Sequence, residues 1–509
     1  MINERLIYFP FFQPYIKIAM RKSAISIFHI LLALIVLKIG LLFFYGPVFT
    51  PDSYGYVAFA KIILTGNSWL YFEDLNNYWY PETSFRIIGY PLIIALAEAI
   101  FGNFWQWVVI IFQISISTIA SWFIYRLVKC LSGNLYCALF VAFSHGLGQG
   151  LVLDLSILTD SLNASLLLIV SCYLGIAIID EKKISLLVVS SLGVLVLFAF
   201  LLREAGSYFQ IIFWPLVFYW GYRSKGWLKG LALSLVFIAP LLIGIEAYKT
   251  WNNYRTGERF VTTASQTSMF FPTLDLEKRG VSVLADDPLL KDMAPLSFSD
   301  DRPPLTRVAL INKHLVETQS FNAYDVGKYG MTRFFRNWAE HPVDMLAVSL
   351  SQISEKYLFL AFMPVESLTQ LHFWAGGENT FSANKKKSLW SAVFAEGRID
   401  LLGLRLGRGV SRIISIIIML SFLALMPIFL FSELRSQNYR IKKCNPKIMV
   451  MSFYYLSFFC YLFAYSMVSL EKRYLMPVEP LSIVVGVTLF VSTIQSYLKK
   501  RGIRTTLKD

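Results

Sequence analysis

The chain has 509 residues, of which 56% are hydrophobic and 16% charged, with a mean hydropathy of +0.55. Soluble domains carry about 25% charged residues, so a chain this apolar needs lipid as its solvent. The net charge of +14 sits in short connectors beside apolar runs, the positive-inside pattern of membrane proteins, and a nucleic-acid partner is set aside.

The apolar runs are too long for barrel strands and show no alternation. The expected class is an all-α polytopic membrane protein with about ten transmembrane helices. Five cysteines (Cys130, Cys137, Cys172, Cys444, Cys460) form neither a CxxC pair nor a metal spacing. The basic segment Met1 to Ser23 precedes an apolar run too long for a signal-peptide core, so the first helix is expected to stay uncleaved.

Helix one spans roughly 24–45 and carries Lys38, which can snorkel or pair. The next segment, to about residue 101, holds no convincing span. Two shorter stretches, 53–64 and 87–101, suit interfacial or re-entrant helices. The first places Tyr56, Phe59, Ala60, Ile63 and Leu64 on one face. Helices two to seven are expected at roughly 104–127, 134–153, 161–179, 184–202, 206–221 and 231–248.

A hydrophilic stretch of about 90 residues then runs from Lys249 to His341. Segment 343–363 is apolar but interrupted by Glu355 and Lys356, and is expected not to cross. Helices eight to ten follow at roughly 409–432, 448–469 and 474–497. The connector after helix eight and the tail are basic, which places both chain termini in the cytoplasm. No internal repeat of the inverted-transporter kind is visible.

This topology puts Asp52, Arg86, Asp160, Arg203, Glu471, Lys472 and Arg473 on the outer side, in four connectors or at their edges. Basic residues there oppose the sorting rule, and ionisable residues beside apolar segments are functional candidates. Two acids and three arginines at one interface would form an anion site with an acid or base beside it. Each residue also has a plainer role. Asp52 suits a helix N-cap, and Asp160 a cap or dipole partner. Arg86 can snorkel, and Arg203 suits the end of helix five, with Glu204 as a local partner. Arg473, at the start of helix ten, opposes the dipole, which weakens the plain reading.

The histidines (His29, His145, His314, His341, His372) form no close ligand pair, and Asp52 has no DxD partner. A divalent metal held by Glu82 and an outer-loop histidine stays open, but no metal ligand is assigned because no clear ligand set is visible. Gly146-Leu147-Gly148-Gln149-Gly150 follows no strand, so no nucleotide cofactor is expected.

At these residues the chain resembles the GT-C superfamily of membrane glycosyltransferases, in particular the branch of protein O-mannosyltransferases and lipid A aminoarabinose transferases. Four motifs carry the resemblance: Pro51-Asp52-Ser53-Tyr54, Arg86-Ile87-Ile88-Gly89-Tyr90-Pro91-Leu92, Leu158-Thr159-Asp160-Ser161, and Arg473-Tyr474-Leu475-Met476-Pro477-Val478-Glu479-Pro480. Asn252-Asn253-Tyr254-Arg255-Thr256-Gly257 is also similar. The middle of the chain, about 260–410, matches nothing in the family.

The resemblance implies interfacial helices in the first loop, a large outer loop after helix seven, and a polyprenyl-phosphate sugar as donor. It places the catalytic acid in the first loop, at Asp52, and a phosphate contact at the position of Arg86, where the aminoarabinose branch has lysine. The candidate set is therefore Asp52 and Asp160 as catalytic residues, with Arg86, Arg203 and Arg473 on the donor phosphate. Tyr54, Tyr90 and Tyr474 are candidate substrate-binding residues. The acceptor is a glycan, lipid or protein.

Three regions are expected: a GT-C-like catalytic module over 1–250, an outer-face region with an interfacial helix over 251–406, and C-terminal helices with a basic tail over 407–509. A lipid or anionic-solute transporter would use the same charges, but it would place them near mid-membrane on paired broken helices.

Overall fold

The structure is a computed structural model and describes residues 13–66, 82–183, 185–204, 208–293, 304–357, 364–376, 399–438 and 443–501. Among the described residues there is no named strand, only an isolated bridge between Val48 and Ser156. The protein is an all-α polytopic membrane protein. Among the described residues, seven helical segments are long and apolar enough to cross a bilayer: Ile27–Tyr45, Gly89–Ser132, Thr159–Ile179, Trp227–Thr256, Arg405–Ser436, Pro446–Ser466 and Glu479–Lys499. Shorter apolar helices, Leu135–Leu147 and Leu186–Leu202, fall where helices three and five were expected.

In chain order the first elements are α1 (Gln13–Tyr45), α2 (Pro51–Thr65), α3 (Glu82–Phe85), α4 (Gly89–Phe101), α5 (Trp105–Ser132), α6 (Leu135–Leu147) and α7 (Gln149–Asp154). They continue with α8 (Thr159–Ile179), α9 (Leu186–Leu202), α10 (Tyr208–Lys225) and α11 (Trp227–Thr256). The segment Gly89–Ser132 is continuous in hydropathy but not in direction. Gly102 has φ +54, a conformation that disfavours a side chain, and it separates α4 from α5. Ile94 and Ala95 of α4 then share one core with Val109 and Ile110 of α5. At 15 and 13 residues, α2 and α4 are about 20 Å long, short of a ~30 Å hydrocarbon core.

Several boundaries differ from the sequence reading, each for a local reason. Helix three is broken: Gly148 is extended (φ −73, ψ −155), so α6 stops and α7 starts anew. Helix seven runs on to Thr256 and ends at Gly257 with φ +80, so the Asn252–Gly257 motif closes α11 rather than following it. The Arg473 motif does not open helix ten. It forms a 3₁₀ turn, Lys472–Leu475, and the last helix begins at Glu479 with a proline in its first turn. The dipole argument for Arg473 therefore falls away.

The hydrophilic stretch folds into short helices: α12 (Ser265–Ser268), α13 (Phe271–Lys278), α14 (Pro304–Gln319) and α15 (Ala323–Glu340). Phe270, Leu274, Val308, Ile311, Leu315 and Val326 give it a core of its own. The buried pair Arg333–Asp287 (3.1 Å) braces it. Segment 343–363 contains α16 (Pro342–Tyr357); residues 358–363 and the side chains of Glu355 and Lys356 lie outside those described. Next come α17 (Pro364–Trp374) and α18 (Ile399–Leu420), then α19 (Met426–Ser436) after a π turn. Helix eight thus starts about ten residues before its expected bound, and Arg405, Arg408 and Arg412 are helical. The chain closes with α20 (Pro446–Ser466) and α21 (Glu479–Lys500).

Two cores matter for the site. The larger joins α5, α6, α8 to α11 and the C-terminal helices, through residues such as Val128, Leu168, Phe213, Phe237 and Val484. The second lies under the connectors that carry Asp52, Arg86 and Arg473 and gathers Leu42, Tyr56, Tyr90, Ile110, Leu158, Leu371 and Met476. Packing, not a hydrophobic drive, holds helices together in lipid.

Candidate active site

The charged connectors meet at one end of the bundle. The first loop is tied down at Val48, whose N–H donates to Leu155 O (3.0 Å) while its carbonyl accepts from Ile157 N (2.9 Å). Two strand-like bonds thus hold the start of α2 against the turn that leads into α8. Gln113, buried in α5, secures the same turn by donating to the carbonyls of Leu153, Asp154 and Ser156. A primary amide in mid-span with no partner would be costly, so these bonds explain why the sequence tolerates it.

Asp52 is not the N-cap of α2. Thr50 occupies that position, and its N–H donates to Ser53 Oγ (2.9 Å). The Asp52 carboxylate instead reaches across the site. Arg86 Nη2 donates to Oδ1 at 2.9 Å and Arg473 Nη1 donates to Oδ2 at 2.6 Å. Two guanidiniums from opposite ends of the chain share one carboxylate. Burial alone would raise the Asp52 pKa, but the two arginines outweigh it and hold the carboxyl well below its ordinary value.

Each arginine is itself held. The Arg86 guanidinium lies over the rings of Tyr56 (4.7 Å) and Phe85 (4.9 Å), and Nη1 donates to Tyr56 OH at 3.4 Å. Arg473 Nε donates to Glu471 Oε2 at 2.6 Å, and Tyr474 OH donates to the other Glu471 oxygen at 3.2 Å. Burial pushes the Tyr474 hydroxyl up to about 12 against the pull of Arg203 and Arg473, so it stays protonated and able to donate.

A second pair stands beside the first. Asp160, in the first turn of α8, pairs with Arg203, the residue that ends α9. The Arg203 guanidinium lies 4.4 Å from the Tyr474 ring centre, and that of Arg473 lies 5.4 Å from it. One aromatic ring therefore separates the two charge pairs. Tyr56 OH, 3.3 Å from Thr159 Oγ1, ties α2 to the start of α8.

The structure brings together Asp52, Arg86, Asp160, Arg203, Glu471, Arg473 and Tyr474. It does not bring Tyr54 to them: that ring is 67% exposed and lies near Phe49. Tyr56 takes its place. On a helix, Asp52 and Tyr56 are four apart and share a face, whereas a residue two along points away, so the helical period could have found Tyr56. Tyr90 is fully buried below the site, donates to Gln113 Oε1 at 2.6 Å and meets Tyr56 edge-on at 5.2 Å. It supports the site and does not line it. The Lys472 and Glu82 side chains lie outside those described.

Gly89 lets this end of the bundle close. A Cβ there would sit 2.3 Å from Leu201 O, so α4 could not approach the end of α9 with any larger residue. Among the described residues no group of three or more His, Cys, Asp or Glu side chains is placed to hold a metal ion.

Lys38 finds its partner one layer deeper. Its Nζ lies 2.6 Å from Asp154 Oδ2, and both side chains are 1% exposed. Ser117 also donates to Oδ2 (2.7 Å), and Ser161 donates to Oδ1. Asp154 is the last residue of α7 and faces inward.

No protein-family model matches the chain, and no curated protein matches it by sequence. Among solved structures, those of the Archaeoglobus fulgidus oligosaccharyltransferase are similar to the chain. A crystal structure tethered to an acceptor peptide with the NVT sequon has 13% identity and TM-score 0.45, covering 95% of this chain and 51% of that one. The apo crystal structure has 12% identity and TM-score 0.47, covering 94% and 52%. The complex with an inhibitory peptide and a dolichol-phosphate has 13% identity and TM-score 0.46, covering 94% and 51%. The chain spans about half the length of these structures, and at such identities and scores they assign it neither an activity nor a residue.

Proposed function

We propose that the protein is a GT-C-type membrane glycosyltransferase that takes a sugar from a polyprenyl-phosphate carrier at the outer face of the membrane. The observation that carries this reading is the shared carboxylate: Asp52 bridges Arg86 and Arg473 in a site that solvent partly reaches. A phosphodiester offers the same pair of anionic oxygens to the two guanidiniums, whose forked donors suit it. When the donor phosphate takes the arginines, Asp52 is released from them and regains basicity.

The reaction is a displacement at the anomeric carbon. The acceptor hydroxyl gives its proton to Asp52 as its oxygen forms the new glycosidic bond, and the bond from sugar to phosphate oxygen breaks. Polyprenyl phosphate leaves with the bonding electron pair. Charge grows on that phosphate in the transition state, where Arg86 and Arg473 bind it most strongly. A base on the face opposite the phosphate gives inversion. Arg203 and Asp160 complete the wall: Asp160 orients Arg203, and Tyr474 links both to Arg473. The acceptor, whether glycan, lipid or protein, enters from the side of the region after α11.

In this reading residues 1–250 form the catalytic module, 251–406 the outer-face region and 407–509 the C-terminal helices, with both termini cytoplasmic. Transport would need charges inside the bundle. Lys38 and Asp154 are there, but Ser117, Ser161 and each other already occupy them.

Asp52→Asn separates chemistry from binding. With a polyprenyl-phosphate sugar and purified protein, turnover falls roughly 10²–10⁴-fold, the usual span for a general base. Donor affinity holds or rises, because the anion that competes for the arginines is gone. Near-normal turnover would move the base to Asp160. Weakened donor binding would mean that Asp52 attracts the ligand rather than stands in for it.

A further inference from the structure

Arg255 is the largest fully buried side chain among the described residues, at 2% exposure, and the mechanism above does not use it. It sits on the last turn of α11, and its guanidinium packs 4.5 Å from the Trp251 ring centre. Nε donates to Asn252 Oδ1 (2.9 Å), Nη1 to Thr83 Oγ1 (3.1 Å), and Nη2 to both Thr83 O (2.7 Å) and Ser84 Oγ (3.1 Å). Burying a guanidinium is expensive and an apolar residue could fill the space, so the value lies in what it holds.

What it holds is α3, the four-residue turn directly before Arg86. A helix of four residues cannot sustain itself. Its support comes from outside. Thr263 N donates to Ser84 O at 2.9 Å. Asn252 Nδ2 donates to Phe260 O (2.8 Å) and Val261 O (3.0 Å), which holds the strap that carries Thr263. On the other side of Arg86, Ile87 is buried with Phe200, Leu241 and Tyr248. The backbone of Arg86 is pinned between these two anchors.

We infer that Arg255 and Asn252 are positioning residues for the anion site: they clamp the Thr83–Phe85 turn and so set where the Arg86 guanidinium stands relative to Asp52 and Arg473. The inference rests on the reading of Arg86 as a phosphate ligand. Lysine cannot replace Arg255, because one ammonium cannot reproduce a planar fork aimed at Asn252, Thr83 and Ser84 together. Arg255 has no part in the chemistry; it acts through Arg86.

A double-mutant cycle on ligand affinity tests this. The probe is decaprenyl monophosphate in detergent micelles, titrated into wild type, Arg86→Ala, Arg255→Gln and the double variant, with thermal unfolding recorded for each. Arg86→Ala weakens binding roughly tenfold or more, as loss of a charged hydrogen bond predicts. Arg255→Gln weakens it by a similar factor in the wild-type background and by less than about twofold in the Arg86→Ala background. Equal losses in both backgrounds would overturn the clamp and make Arg255 a general stabiliser. So would unchanged affinity for Arg255→Gln alone.

If Arg255→Gln does not fold, Thr83→Val with Ser84→Ala removes two of the receiving groups and leaves Arg255 in place. The same pattern is expected at smaller amplitude, and additive losses would again overturn it. An Arg86→Ala variant that binds the probe as wild type does would instead sink the phosphate reading, and the clamp's purpose with it.

Discussion

Two of the ion-paired aspartates, Asp154 and Asp52, differ in a way that separates a fastener from a site. Asp154 and Lys38 are each 1% exposed, and both carboxylate oxygens are occupied by groups on helices α1, α5 and α8. Nothing can exchange with them unless the bundle opens. Asp52 is 33% exposed, and its two partners come from a short loop and a 3₁₀ turn. An anion from outside can compete for those partners. A carboxylate that is fully enclosed joins helices; one that solvent reaches and that is shared between two guanidiniums marks a place where another anion fits.

The sharpest way to break this contrast is by truncation. Asp154→Ala leaves the Lys38 ammonium buried without its partner and is expected to cost about 3–5 kcal/mol. Asp52→Ala, at a part-exposed pair, is expected to cost about 1 kcal/mol or less. Thermal unfolding of both variants in one detergent measures the difference, and equal losses would erase the distinction. Lys38→Met with Asp154→Leu should recover most of the stability, since apolar replacement of a complete buried pair is commonly neutral or favourable.

Acid sharpens the same contrast. The Asp52 carboxyl is held below its ordinary value by Arg86 and Arg473. Its contribution to stability is therefore fully present above the unfolded carboxyl pKa of about 3.9 and is lost as pH falls through the lower folded value. The stability difference between wild type and Asp52→Asn should be flat from about pH 8 to 5 and shrink only below about pH 4. A difference that changed near neutrality would show that the arginines do not control this carboxyl.

The smallest expected effect is at Tyr474. Tyr474→Phe keeps the ring beside Arg203 and Arg473 but removes the 3.2 Å bond to Glu471. Donor binding should weaken by about 0.5–1.5 kcal/mol, the net worth of one hydrogen bond. A loss as large as that from Arg473→Ala would make the hydroxyl a ligand in its own right.

Much of the fold was legible because lipid imposes a length and a hydropathy on every crossing helix. The long apolar helices fall close to their expected bounds, and α2 and α4 are short helices as read. The errors lie where polar residues extend or interrupt a helix: Arg405 to Arg412 inside α18, the last turns of α11, and the break at Gly148. Hydropathy ends a helix where the apolar run ends, whereas backbone hydrogen bonds continue until a glycine or proline stops them.

The sequence by itself determined the membrane class and which charged residues stand out of place, because the cost of a charge near lipid is a local property of the chain. It did not determine pairing. Asp52 meets an arginine 421 residues away, Arg255 supports a turn 172 residues before it, and Lys38 finds Asp154 on a separate helix. The helical period favours Tyr56 over Tyr54, but it could not name Arg86 and Thr159 as the partners of Tyr56. Those choices depend on which helix faces meet, and only packing in three dimensions decides that.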